Sequence, residues 1–234
     1  MRIRGELIKL GYVVSATSIR NLMRKHGVPT SPRPGRMSWR EFLRAQASAI
    51  VATDYFTVDT WNLKRLYVLF FMELATRRIV CFGVTENPNQ EWVSQQARNL
   101  TWKLQEQGSQ AKFLICDNDR KFPFAFEHVL AGEGLRVIRT PLQAPKANAF
   151  AERWVGIARR ECLDWLIVGG QRHLGQLLDE YVDHYNNERP HRGLQLHPPN
   201  GRLHGGIVTG AIRCRSRLGG LLREYSRVPR LVAA

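Results

Sequence analysis

The chain has 234 residues, enough to bury a substantial core, and its 44% of apolar residues is ordinary for a folded protein. Its 35 Lys and Arg against 20 Asp and Glu leave a formal net charge of +15, an excess that points to a polyanionic partner, a nucleic acid ahead of a ribosome-associated or merely basic role. The most apolar run, residues 66–74, is too short to cross a bilayer, Arg, Gly and Glu interrupt any leader at the start, and Cys81, Cys116, Cys162 and Cys214 stand too far apart for a zinc or disulfide framework. A soluble cytoplasmic protein with free thiols and no membrane partner is expected.

Residues 1–27 read as two helices. Ile3, Leu7 and Leu10 recur at helical spacing, Gly11 interrupts, and Ser15 is placed to cap a second helix carrying Ile19, Leu22, Met23 and His26 up to Gly27. The pair suits a helix-turn-helix offering Arg20, Arg24 and Lys25 to DNA, or equally a plain helical hairpin packed on the main domain. Three prolines within residues 28–36 mark a linker, and residues 39–47 read as a short entry helix. The expected domains are therefore 1–30, a helix-turn-helix-like segment; 31–47, linker and entry helix; 48–200, a core; and 201–234, a basic tail.

Residues 50–58, 65–74 and 77–86 are strand-like, and the break at Ala75 and Thr76 suits a hairpin. Residues 89–107 read as a helix with Trp92, Val93, Gln96, Leu100 and Leu104 on one face and Gly108 past its end. A strand at 113–116, a helix at 123–131, a strand at 135–138, an amphipathic helix at 150–168 and a helix at 174–185 follow. Antiparallel strands first, then strands alternating with helices, predict an α/β fold: a mixed five-stranded sheet flanked by helices. In the tail, alternating Arg from Arg213 to Arg227 suits a strand or extended arm on DNA, while Leu218, Leu221 and Leu222 suit docking on the core or on another subunit.

Three acids carry the chemistry. Asp54 lies inside a strand pattern, where a carboxylate is unwelcome unless solvated or paired. Asp117 directly follows the apolar strand 113–116, and strand ends of open sheets are common ligand sites. Glu152 lies in the first turn of the amphipathic helix, away from the face of Trp154, 35 positions after Asp117. Each taken singly suits a solvated surface carboxylate. Delivered together by separate elements of one small sheet, they suit two divalent ions about 4 Å apart, the arrangement used in phosphoryl transfer. Oxygen donors favour Mg²⁺ or Mn²⁺ over zinc.

Four stretches in order, ATDYFTV around Asp54, ICDNDRKF around Asp117, APKANAFAERWVGIARREC around Glu152 and HYNNERPHRGL from His184 to Leu194, resemble the DDE catalytic core of retroviral integrases and of the insertion-sequence transposases related to them. The resemblance covers roughly residues 48–200. It implies an RNase H-like fold, Asp54, Asp117 and Glu152 as catalytic metal ligands, and two Mg²⁺ or Mn²⁺ ions. It further implies DNA cleavage followed by strand transfer, mobile-element ends and target DNA as partners, a homodimer or higher multimer on DNA, and a bacterial, nucleoid-associated setting. Two positions depart from the pattern: Asp119 replaces a common glycine, suiting either a metal bridge or a turn cap, and Ala147 stands where Asp is frequent. Asp59, at its strand's end, aligns less well than Asp54. Nothing before Asp54 resembles the paired His and Cys of the retroviral zinc module.

Arg159 follows Glu152 by two helical turns and shares its face, with Arg160 beside it, so both suit phosphate contact or a solvated face balanced by Glu161 and Asp164. Lys146 and Asn148 precede the helix and are candidates for the DNA end. Arg189, His191 and Arg192 are candidates for phosphate, while Tyr185 is expected to pack inward. An RNase H-like nuclease without strand transfer and a catalytically silent DNA-binding relative remain the alternatives.

Overall fold

The computed structural model describes residues 2–27, 39–117, 122–140, 149–201 and 210–227, and the chain divides into two compact units, Met1–Arg44 and Ala45–Ala234. In the first unit α1 (Arg2–Lys9) and α2 (Ala16–Lys25) are joined by a turn. The Ser15 hydroxyl accepts from the Ser18 amide at 3.0 Å, satisfying one of the free donors at the start of α2. Gly27 adopts φ +63 just beyond its end, where a side chain would be strained. No residue of α2 is buried, and Leu22 is 61% exposed. Helix α3 (Trp39–Ala45) spans the division between the units.

The second unit is built on a five-stranded sheet of order β3-β2-β1-β4-β5, from β1 (Ile50–Asp59), β2 (Arg65–Glu73), β3 (Ile79–Thr85), β4 (Phe113–Cys116) and β5 (Arg136–Arg139). β1, β2 and β3 pair antiparallel; β4 joins β1, and β5 joins β4, in parallel. Helices α4 (Gln90–Glu106) and α5 (Phe124–Gly132) cover one face, where Val93, Leu100, Phe126 and Leu130 meet Val51, Leu69 and Phe71. Helices α6 (Ala149–Glu161) and α7 (Gln171–Asn187) cover the other, where Trp154, Leu178 and Tyr181 meet Phe56, Val68 and Phe70. Because both faces are covered, β2 buries Leu66 and every residue from Val68 to Met72, and it reads as a continuous apolar run without alternation.

Local signals set the ends of α4: the Asn89 side chain accepts from the Trp92 amide at 2.8 Å, and Gly108 adopts φ +60 past the last turn. Helix α4 lies so close to the sheet that a Cβ on Gly83 would fall 2.5 Å from Gln96 Oε1. One expected element is shorter than the pattern suggested. The helix read over 150–168 ends at Glu161, and Cys162 leaves the helical region at φ −137, ψ −67. Leu163 and Val168 both reach the core, and five positions on a helix point in directions about 140° apart, so the chain breaks to bury both.

The C-terminal segment folds back. β6 (Ile212–Arg217) and β7 (Leu222–Arg227) form an antiparallel hairpin around a short 3-10 turn at Leu218–Gly220. Leu218 enters the core, its amide donates to Glu180 at 2.9 Å, and buried Arg217 pairs with Asp183 of α7 and with Glu224. The leucine docking and the strand, read as alternatives, occur together.

Candidate active site

Asp54 sits midway along β1, opposite Phe70 of β2. The parallel register of β1 and β4 runs to Ala52 beside Ile115, so two residues further on Asp54 adjoins Asp117, the first residue past β4. Val51, Leu114 and Cys116 point into the α4/α5 layer; by alternation Asp54 and Asp117 both rise from the face that carries α6 and α7. Neighbouring strands are about 4.8 Å apart, so continuation of this register sets the backbones that carry the two aspartates side by side at the end of β4, where a divalent cation would relieve the repulsion of two nearby carboxylates. Cys116 turns the other way, and burial pushes its thiol up to about 12, which leaves it a neutral packing group.

Each aspartate is held. The Tyr55 amide donates to Asp54 Oδ1 at 2.7 Å, and the hydroxyl of buried Thr140, just past β5, donates to Asp117 Oδ1 at 2.9 Å. Thr140 is itself fixed by its amide, which donates to the Cys116 carbonyl at 3.0 Å.

Glu152 comes from α6, which is anchored by Trp154. That indole lies 4.3 Å from the Phe70 ring and 5.8 Å from Phe56, at the level of Asp54 on the sheet. Farther along the helix, the Arg159 guanidinium donates to the Thr57 carbonyl at 2.6 Å. Helix α6 thus runs in the direction of β1, and Glu152, two residues before Trp154 and about 3 Å back along the axis, lies towards Asp54. Ala151, Trp154 and Ala158 are buried while Glu152 is exposed, so its carboxylate stays on the open flank of the helix. The structure therefore brings Asp54 beside Asp117 and lays the helix bearing Glu152 over the same sheet face. It does not close the three into a tight cluster: among the described residues no group of three or more His, Cys, Asp or Glu is drawn together closely enough to hold a metal. The donor chemistry, carboxylate oxygens only, fits Mg²⁺ or Mn²⁺.

Of the candidate DNA contacts, Lys146 and Asn148 lie outside the described residues, as do Asp119 and Ala147. Arg20, Arg24 and Lys25 are exposed on α2 in the N-terminal unit, and Arg160 and Arg192 are exposed in the second. Arg159 is committed in part to the β1 backbone. The HYNNERPHRGL stretch differs most from expectation. Arg189, expected at phosphate, forms a two-pronged pair with Glu161 at 2.8 and 2.6 Å and lies 6.0 Å over the Tyr185 ring. Burial raises the Glu161 carboxyl, but the Arg189 hydrogen bond and charge, with the Tyr181 hydroxyl, outweigh it and hold the group below its usual value. His191, also expected at phosphate, is 6% exposed, sits edge-on to Tyr185 at 4.5 Å and is 3.3 Å from the Tyr185 carbonyl. Burial is the main cause of its lowered pKa. Both side chains face inward because α7 must be clamped where it ends.

Asn186 belongs to the HYNNERPHRGL stretch, but the sequence assigns its side chain no role. Its carboxamide accepts from the Ile79 amide at 3.0 Å and donates to the Ile79 carbonyl at 2.9 Å, so it pairs with the outer edge of β3 as another strand would. The partners are 107 positions apart, which no local signal reveals. Tyr185, expected inward, is buried in the core.

A family model described as an integrase core domain matches residues 133–199, the stretch holding β5, α6, α7 and Glu152. No curated protein matches the chain by sequence. Among solved structures, the catalytic domain of Mos1 transposase, bound to Raltegravir with Mg, is 18% identical with a TM-score of 0.50, over 62% of this chain and 76% of that one. The catalytic domain of Mos1 mariner transposase is 16% identical with a TM-score of 0.50, over 64% and 85%. A chain from the structure of the simian T-cell lymphotropic virus intasome in complex with PP2A regulatory subunit B56 gamma aligns at 15% identity and a TM-score of 0.50, over 95% of this chain and 82% of that one. At these identities the likeness establishes the fold: an RNase H-like α/β core of the integrase and transposase type, in agreement with the resemblance carried by the sequence motifs.

Proposed function

We propose that this chain is a DDE-type polynucleotidyl transferase that cuts DNA at the ends of a mobile element and joins them to target DNA, with Asp54, Asp117 and Glu152 as ligands for two Mg²⁺ or Mn²⁺ ions. The observation that carries the reading is the register that sets Asp54 beside Asp117 on the sheet face over which α6 presents Glu152. Ions bound there would supply activation of the attacking oxygen and stabilisation of the departing one. The protein contributes position. Strand pairing fixes the spacing of the two aspartates, the Thr140 hydroxyl orients Asp117, and Trp154 wedged on Phe70 and Phe56 sets the height of Glu152. The net charge of +15 favours binding of a DNA backbone by the chain. Action on paired ends calls for a homodimer or higher multimer, in the bacterial cytoplasm beside the nucleoid.

The test is Mg²⁺- or Mn²⁺-dependent cleavage and joining of duplexes carrying the sequences that flank the coding region, by the wild type and by Glu152→Gln, a near-isosteric change that removes the charge. The variant is expected to lose at least 100-fold in both steps, the scale for removing one group that stabilises developing charge. Full activity in Glu152→Gln overturns the ligand assignment. Cleavage without joined product from a pre-cut end assigns a nuclease of the same fold, and DNA binding without metal-dependent nicking assigns a silent relative.

A further inference from the structure

Arg78, Arg139, Arg189 and Arg217 each meet a carboxylate. Arg77 does not: among the described residues no carboxylate pairs with its partly buried guanidinium. It is held instead by shape, lying 4.2 Å over the Phe150 ring and against Gly193, where an added Cβ would fall 3.2 Å from Nη2. Its backbone sits in the left-handed region at φ +64, which disfavours a residue with a side chain. Burial is the main cause of its lowered pKa, and the charge of Arg153 adds to the effect. Arg153 is exposed, is unpaired among the described residues and shares a helix flank with Phe150, three positions before it. Two arginines without a carboxylate partner among the described residues thus stand at the first α6 turn, Arg77 immobilised by stacking over Phe150 and Arg153 next to Glu152.

We infer that Arg77 and Arg153 form a phosphate-binding site for the DNA backbone, which grips the strand at the N-terminal turn of α6 that also bears Glu152. This rests on the DNA-processing function proposed above. A planar guanidinium fixed over an aromatic ring presents its free edge to a phosphate without further ordering, and the second cation completes the charge match. Arg153 directly follows Glu152, about 100° round the helix, and Arg77 lies over Phe150, two positions before Glu152, so a strand passing the N-terminal turn of α6 can touch both.

The experiment is fluorescence anisotropy of a labelled 30-base-pair duplex in EDTA, over a salt series, with the full-length chain. Arg77→Asn suits the positive φ; Arg153→Gln is a surface change. Each is expected to lower the slope of log affinity against log salt by about 0.9, and to weaken binding roughly eightfold at 0.1 M salt, with the double variant losing about twice the slope. Arg98→Gln, which removes the same charge from exposed α4 on the other face, is expected to keep the wild-type slope. Arginine variants that overlay the wild type, or an equal loss in Arg98→Gln, overturn the site while leaving DNA binding intact. Absence of salt-dependent binding by the wild type overturns the DNA function and this site with it. If circular dichroism shows Arg77→Asn unfolded, Arg153→Gln decides alone.

Discussion

Replacing Asn186 by Leu keeps the size of the side chain and removes both of its bonds to Ile79. Ile79 is 2% exposed, so water cannot take over. Two neutral hydrogen bonds contribute about 1 kcal/mol each, and buried groups left unsatisfied cost about 1–3 kcal/mol apiece, which sets an expected loss of about 3 kcal/mol after the added apolar contact is allowed for. With a urea dependence of about 2.5 kcal/mol per molar, the unfolding midpoint falls by about 1.2 M. Asn186→Asp separates the two bonds. The carboxylate still accepts from the Ile79 amide at 3.0 Å but now faces the Ile79 carbonyl, so at neutral pH it is expected to be at least as damaging. Burial and the opposing carbonyl raise its folded-state pKa, so its stability relative to wild type is recovered below the ordinary Asp value of about 3.9 and lost as pH rises through the raised value. Equilibrium urea melts at pH 7 and pH 4 read both effects. A midpoint shift below about 0.3 M for Asn186→Leu, or no acid recovery for Asn186→Asp, refutes the role of Asn186 as a surrogate strand on β3.

Trp154→Ala empties the space between Phe70, Phe56 and Tyr185 and is expected to cost about 4 kcal/mol, whereas Trp154→Phe loses only part of the ring volume and also removes an indole N–H that has no partner among the described residues, so it is expected to cost about 1 kcal/mol; melts of the two variants check the ratio. Because the Glu161 carboxyl is held below 4.5, the Arg189 pair contributes stability above that pH and loses it as pH falls through the lowered value; Arg189→Met is expected to cost about 2 kcal/mol at pH 7, less than a fully buried pair because Glu161 is one-third exposed, and to flatten that acid limb. Burial lowers the His191 pKa below 6.5, so protonation in the unfolded chain withdraws stability as pH falls below that value, and His191→Gln is expected to reduce the loss between pH 7 and 5 in thermal melts.

Much of the fold was legible in the chain itself, because its signals are local. Apolar periodicity located β1, β2, α4 and β4 to within a residue or two; Ser15 and Gly108 marked helix ends through bonds made within three or four positions; and the motifs around Asp54, Asp117 and Glu152 nominated the carboxylates proposed as ligands. Only the folded molecule showed that Asp54 and Asp117 share one face, since that depends on strand register and pleat parity between segments more than 60 positions apart. Tertiary structure likewise ended α6 at Glu161, folded the basic tail into a hairpin on α7, and turned Arg189 and His191 inward. Charge and spacing mark a residue as able to meet phosphate. Whether a part-buried carboxylate 28 positions away claims it first is decided by packing, because partial desolvation favours the internal pair over two separate charges.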